Sequence, residues 1–383
     1  MPLLEVLLQS HSLALRDRAE VTRLVSNAQF LLAKSPGGLR IAAAKTSLEA
    51  AQQTGDAELL LKALLEYARA CKSLGDHEGI RQTRCETARI IDAGSQTPSA
   101  YLTIAYCDYY TYEIHSALTS LQRAAQLNGR DLAQLVYVNT GIGTCYFNLC
   151  SFSEALTYLR KGLSIAERIG DDSMASRILS NLTLVSTTLG RYEEAIQLGC
   201  HSIELGKRSI SQPELLTAYA NLGDAYLLTG DRERAADCME SAKEWLSGHD
   251  DWYMSIVFLF ENASTALATG NVPLALSLKR EIDNLSGHSQ QIFVHGGLSA
   301  KLDVLRALHD EGLEPAATLA AERMTFFKDR IPLFYLDALA MNAWLEQIST
   351  GRYSAQTEED LKVFTIWGAK GKRARLQAQG FLT

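Results

Sequence analysis

Helix breakers are scarce in this sequence: seven prolines interrupt 383 residues. Proline removes a backbone donor and clashes with the preceding turn, so its scarcity leaves room for long helices. No run of 18 apolar residues occurs, and no membrane span is expected. The opening stretch MPLLEVLLQSHSLALRDRAEV turns acidic too soon to read as a secretory signal. The seven cysteines are odd in number and none forms a C-x-x-C pair. Such scatter fits reduced thiols and a cytoplasmic setting. An excess of basic residues is also missing, with 37 Lys and Arg against 44 Asp and Glu, net charge −7. The repeat body is therefore not expected to bind nucleic acid.

Chemistry-bearing motifs are missing too. There is no HExxH and no GxSxG. TGIGTC at 140–145 offers Gly141 and Gly143 without a third glycine, and GAKGKR at 368–373 lacks the phosphate-loop spacing. No two histidines stand four apart, and His249 beside Asp250 and Asp251 is too sparse a set to hold a metal. No enzyme, cofactor or metal is expected.

What is present is a period. Taking Gly190 as an anchor, equivalent turns fall at Gly38, Gly75, Tyr112, Cys150, Gly230, Gly270, Gly312 and Gly351, 37 to 42 residues apart. Five residues after each anchor stand Ala43, Ile80, Ala117, Ala155, Ala195, Ala235, Ala275, Ala317 and Gln356. Seven of these nine are alanine, which fixes the register. Seven residues before the anchor, Ala68, Ala105, Gly143, Gly223 and Ala263 form a second small-residue column. Small residues let two helices cross closely, and an anchor glycine frees the backbone to leave the first helix. Each interval holds two helices of about 15 residues with short turns and no strand.

These columns resemble the tetratricopeptide repeat, best in TTLGRYEEAIQLGCHSI (187–203) and ANLGDAYLLTGDRERAADCMESA (220–242), and are similar to its longer-repeat regulator type. The resemblance implies an all-α, right-handed superhelix of about nine helix-turn-helix repeats over residues 1–354. A C-terminal capping helix and basic tail would follow at 355–383. In the tail, Thr357 before Glu358, Glu359 and Asp360 reads as a helix start. Lys370, Lys372, Arg373 and Arg375 read as a solvated face of the cap, or as a contact for an acidic partner.

The resemblance also implies that first helices line a concave groove. Nine residues before the anchors stand Gln29, Glu66, Thr103, Gly141, Asn181, Asn221, Glu261, Asp303 and Asn342, mostly polar. Asparagine is a weak helix former that carries both a donor and an acceptor. Asn181 and Asn221 therefore read either as solvated positions or as amides that meet a peptide backbone, the part such asparagines play in peptide-binding members of the family. Arg177, one turn before Asn181, shares its face. Lys62, Arg69 and Lys72 add a basic zone, and Tyr106, Tyr109, Tyr110, Tyr137 and Phe147 an aromatic one. Thr144, Asp224 and Arg306, six before their anchors, complete the expected lining. The alternative for the tyrosines is packing between repeats.

The leading expectation is a non-enzymatic adaptor or regulator that binds a peptide or protein segment in the groove, in bacterial signalling. The alternatives are a sensory or autoinhibitory module of a larger transcriptional regulator or signalling enzyme, and a self-associating scaffold.

Overall fold

The computed structural model describes residues 17, 20, 23, 37–128, 131–209, 213–247, 252–286 and 296–382. Every regular element among them is a helix. Numbered from Gly37, they are α1 (Gly37–Thr54), α2 (Ala57–Ser73), α3 (His77–Asp92), α4 (Pro98–Tyr110), α5 (Ile114–Leu127), α6 (Leu132–Asn148), α7 (Phe152–Ile169), α8 (Asp172–Thr188), α9 (Tyr192–Arg208) and α10 (Pro213–Leu228). There follow α11 (Arg232–Ser247), α12 (Trp252–Ala268), α13 (Val272–Ser286), α14 (Gly296–Asp310), α15 (Leu313–Lys328), α16 (Pro332–Thr350), α17 (Ala355–Leu361), α18 (Val363–Ile366) and α19 (Lys370–Ala378).

Caps and turns punctuate the array where the sequence predicts. Asp56, Asp131 and Asp171 accept hydrogen bonds from the exposed backbone amides that open α2, α6 and α8. The anchors after the first helices adopt left-handed backbone, including Gly75, Gly190, Gly230, Gly270 and Gly351. Tyr112 and Cys150 hold the same conformation, at φ 68° and 59°, without being glycine. Gly38 departs from the pattern and lies in the first turn of α1. The column five after the anchors packs at the crossings: Ala43, Ala117, Ala155, Ala195, Ala235 and Ala275 are all buried.

In the eighth unit the register is one residue earlier than expected. Gly312 is the N-cap of α15 rather than the residue that ends α14, and the fully buried alanine is Ala316, not Ala317. One residue turns a helix by about 100°, so residues counted back from Gly312 point elsewhere than assumed. A second correction concerns the C-terminal segment, where α17 is capped by Ser354, which accepts from the Thr357 amide, and not by Thr357.

Neighbouring first helices pack directly on one another, α2 on α4, α8 on α10, α10 on α12 and α14 on α16, while each second helix wedges between the first helices of its own and the next unit. The first helices therefore form the inner wall of the curved array. The curve brings distant units together. Tyr112 packs edge-on against Phe326 and Phe327, with ring centroids 5.9 and 6.3 Å away. Arg330 pairs with Glu113 at 3.3 Å, and α6 touches α16. The C-terminal α19 lies against α8, α10 and α12, inside the curve.

Candidate functional site

The inner wall carries two distinct constellations. The proximal one comes from α2, α4, α6 and α8. The Arg69 guanidinium lies over the Tyr137 ring, 5.8 Å from its centroid, and spans from α2 to α6. Lys72 Nζ stands 5.0 Å from the Tyr110 ring, and the Tyr106 and Tyr110 rings are 4.7 Å apart. Burial pushes the Tyr110 phenol up, while Arg177 from α8 and Arg69 from α2 pull it back, so both cations face it. Arg69 pairs with Glu66 at 2.6 Å, and Arg23, held by Glu20 at 2.7 Å, faces the same pair. Among the described residues, Arg23, Arg69, Lys72 and Arg177 thus gather with Glu20 and Glu66 beside three aromatic rings. Tyr137 is 41% exposed, so the platform remains open. Asn181 is half-buried.

The structure thus brings Arg69, Tyr106, Tyr110, Tyr137 and Arg177 together, with Asn181 one turn from Arg177. Lys62 is exposed on the same face of α2, two turns before Arg69. Tyr109 and Phe147 are packing residues: Asn148 Nδ2 donates to Tyr109 Oη at 3.1 Å, and Phe147 is buried against Phe152.

Four other expected groove residues are already engaged by partners within the protein. Asn221 is 5% exposed and donates its amide to Ser180 Oγ at 2.9 Å and to the Ser180 carbonyl at 3.2 Å. The close approach of α8 and α10 consumes the donor that a peptide would need. Asp224 is buried in an ion pair with Arg375 of α19. The Thr144 hydroxyl donates to the Thr140 carbonyl at 2.9 Å, within its own helix. Arg306 pairs with Asp283 of α13 at 3.0 Å, away from the inner wall, as the one-residue slip in its unit requires. It borders a cleft of about 410 Å³ lined by Asp303, Glu311, Glu314, Thr318 and Glu322.

The distal constellation was not anticipated. The basic tail is not a solvated face: α19 lies against α8, α10 and α12, and side chains of the tail reach α14 and α16. Arg375 pairs with Asp224 of α10, and Lys372 with Asp337 of α16 at 2.7 Å. Lys301 of α14 joins Asp337 at 3.1 Å and donates to Gln379 Oε1 at 3.0 Å. Gln379 Nε2 donates to Ser264 Oγ of α12 at 3.4 Å. Phe381 packs edge-on against Trp344, 5.4 Å away. Burial drives the Arg375 guanidinium down to about 10 and the Glu261 carboxyl, beside Lys301, up to about 7. The signal in the sequence is faint: Lys372, Arg375 and Gln379 recur at helical spacing, but their partners are 35 to 151 residues away.

Neither constellation pairs a nucleophile with a base. All seven cysteines are unpaired, and burial pushes the Cys71, Cys145 and Cys150 thiols up to about 12, where they are inert at neutral pH. No group of metal-binding side chains occurs among the described residues, and His249 lies outside them. No described helix is long and apolar enough to cross a membrane.

Family models of the tetratricopeptide repeat match residues 131–208 and 216–245. Among solved structures, the chain is similar to a Rap protein complexed with competence and sporulation factor, at 11% identity, with 96% of this chain and 99% of that chain covered and a TM-score of 0.61. It is also similar to the apo form of the quorum sensor NprR from B. thuringiensis, at 12% identity, with 92% and 99% covered and a TM-score of 0.50. At such identities the likeness shows the fold. No curated protein matches the sequence.

Proposed function

We propose that this chain, a tetratricopeptide-repeat protein, is a non-enzymatic module that binds a peptide or protein segment through the proximal constellation and acts as an adaptor or regulator. The observation that carries this reading is the convergence of Arg69, Tyr106, Tyr110, Tyr137 and Arg177 from four successive first helices. A guanidinium pair holds a carboxylate with charge-assisted hydrogen bonds, and exposed rings beside it give an apolar or aromatic anchor a place to stack. Asn181 offers an amide that can both donate to and accept from a peptide backbone. The ligand favoured by this chemistry is an extended segment with an acidic group, an Asp or Glu side chain or a free C-terminus, next to an apolar side chain. In this reading residues 1–354 are the binding body, and 355–383 form a C-terminal segment that folds back into the curve. The structural neighbour solved with competence and sporulation factor supports a peptide-sized ligand, and bacterial signalling and a cytoplasmic setting belong to the same proposal.

Capture of ligands from the native cell, followed by mass spectrometry of bound peptides, supplies the candidates. Their affinity for wild type is then compared with that of the Arg69→Ala, Arg177→Ala double variant. The expected result is a loss of about 100-fold, since removing cations that hold a desolvated carboxylate costs about 2–5 kcal/mol. A bound peptide should also raise the melting temperature of wild type alone. Unchanged affinity in the double variant, or capture of metabolites without peptides, refutes the reading.

A further inference from the structure

We infer that the distal half of the inner wall is a second binding seat, built for a basic amphipathic helix of a partner protein, and that α19 is its built-in competitor. This seat is separate from the proximal constellation and shares only α8 with it.

The occupant defines what the seat reads. Along α19, Lys372 meets Asp337, Arg375 meets Asp224, and Gln379 meets both Lys301 and Ser264. Leu376 is fully buried, Phe381 is 2% exposed, and the latter packs against Trp344. The pattern recognised is Lys-x-x-Arg-Leu with an aromatic residue six positions after the arginine. Carboxylates on two walls of the curve fix the spacing and polarity of that pattern, and the Trp344 contact fixes its end.

Three features make the occupant exchangeable. First, its two cations, Lys372 and Arg375, are seated by ion pairs beside a short apolar strip of Ala369, Leu376, Phe381 and Leu382. A desolvated ion pair repays little more than its own dehydration, so it selects a partner more than it stabilises one. Burial lowers the proton affinity of Arg375 despite its pairing. Second, α19 spans nine residues, and a helix this short does not persist alone in water. Leaving the seat melts it, so binding and folding are one event. Third, it is flanked by Gly368 and Gly380, both in left-handed backbone at φ 73° and 80°. A two-helix connector, α17 and α18, links it to the array.

One contact allows the seat to be emptied without touching a charge. Gly371 lies directly on the end of α8. A Cβ there would sit 2.7 Å from the Gly190 nitrogen and closer still to the Thr187 carbonyl. Alanine favours a free helix over glycine, so Gly371→Ala strengthens α19 as a helix yet excludes it from its place.

The experiment uses a fluorescein-labelled peptide of residues 368–383, GAKGKRARLQAQGFLT, added to the full chain and followed by fluorescence anisotropy. Gly371→Ala is expected to bind it at least tenfold tighter than wild type. Adding Asp224→Asn and Asp337→Asn should remove the gain, and a peptide carrying Lys372→Glu and Arg375→Glu should not bind. Hydrogen exchange of wild type should show the α19 amides opening faster than those of α8 and α10. The inference is overturned if Gly371→Ala keeps its main melting transition and binds no better than wild type. It is overturned equally if that variant loses the transition, because α19 is then a keystone of the core. Tight binding that survives the carboxylate changes removes the acidic seat as the reader.

Discussion

Glu261 carries a strongly displaced acid in the inner wall. Burial raises its carboxyl to about 7, and Lys301 only partly opposes the shift. In an unfolded chain a glutamate titrates near 4.3. Between about pH 4.5 and 7 the folded protein therefore holds a proton that the unfolded chain has lost. Stability conferred by that proton is present at the acid end of this window and disappears as pH rises through it. The expected slope amounts to about 1–3 kcal/mol across the window. Glu261→Gln should flatten it, as measured by urea denaturation at several pH values. Asp337 lies on the opposite side: Lys301 and Lys372 overcome its burial and hold its carboxyl below the usual range. Its contribution is lost only at more acidic pH, so the two effects separate. A slope that persists in Glu261→Gln would assign the dependence to other groups. At this scale the sequence reveals residue type and face, but not commitment. Arg69, Tyr137 and Arg177 were visible as one face because offsets from the anchors place side chains by rotation about a helix axis. Asn221 shares its offset with Asn181, yet its amide is consumed by Ser180. That depends on how closely two helices approach, which no local pattern records.

The paired helices were the most legible elements, because left-handed turns and close crossings both demand particular residues. Even Tyr112 and Cys150, which lack the preferred glycine, are betrayed by the alanines that follow them. The eighth unit misleads for a physical reason. Glycine serves equally well as the residue that ends one helix and as the N-cap of the next, and Ala316 and Ala317 both fit a crossing. The structure decides for Ala316, which is fully buried, while Ala317 is half-buried. Substitution tests that register directly. Ala316→Leu forces three extra carbons into a helix crossing and should cost about 1–3 kcal/mol. Ala317→Leu should fall within about 1 kcal/mol of wild type. Chemical denaturation that ranks the two in reverse order would restore the register read from Gly312. The tail helix marks the limit of element-level reading. Its composition announces a charged surface, and only the return of the chain into the curve supplies Asp224 and Asp337.

At the scale of the molecule, the curve closes on itself. Repeat arrays draw stability from neighbouring units and so can unfold piecewise. Here Tyr112 in the third unit touches Phe326 and Phe327 in the eighth, and Arg330 reaches Glu113 across 217 residues of sequence. A contact of that span couples units that nearest-neighbour packing leaves independent. Tyr112 also bears a left-handed backbone, so two terms of opposite sign meet at one residue. Glycine there would relieve about 1–2 kcal/mol of backbone strain, but would remove a buried ring worth about 3–5 kcal/mol. The expected outcome for Tyr112→Gly is a net loss of about 2 kcal/mol, with the single unfolding transition broadening as the early and late units separate. Cys150 is the matched control, since it has the same backbone conformation but reaches no such ring. Cys150→Gly should stay within about 1 kcal/mol of wild type. Urea denaturation of the two variants side by side isolates the closing contact. If Tyr112→Gly proves as benign as Cys150→Gly, the touching ends contribute nothing, and the array behaves as an open spiral.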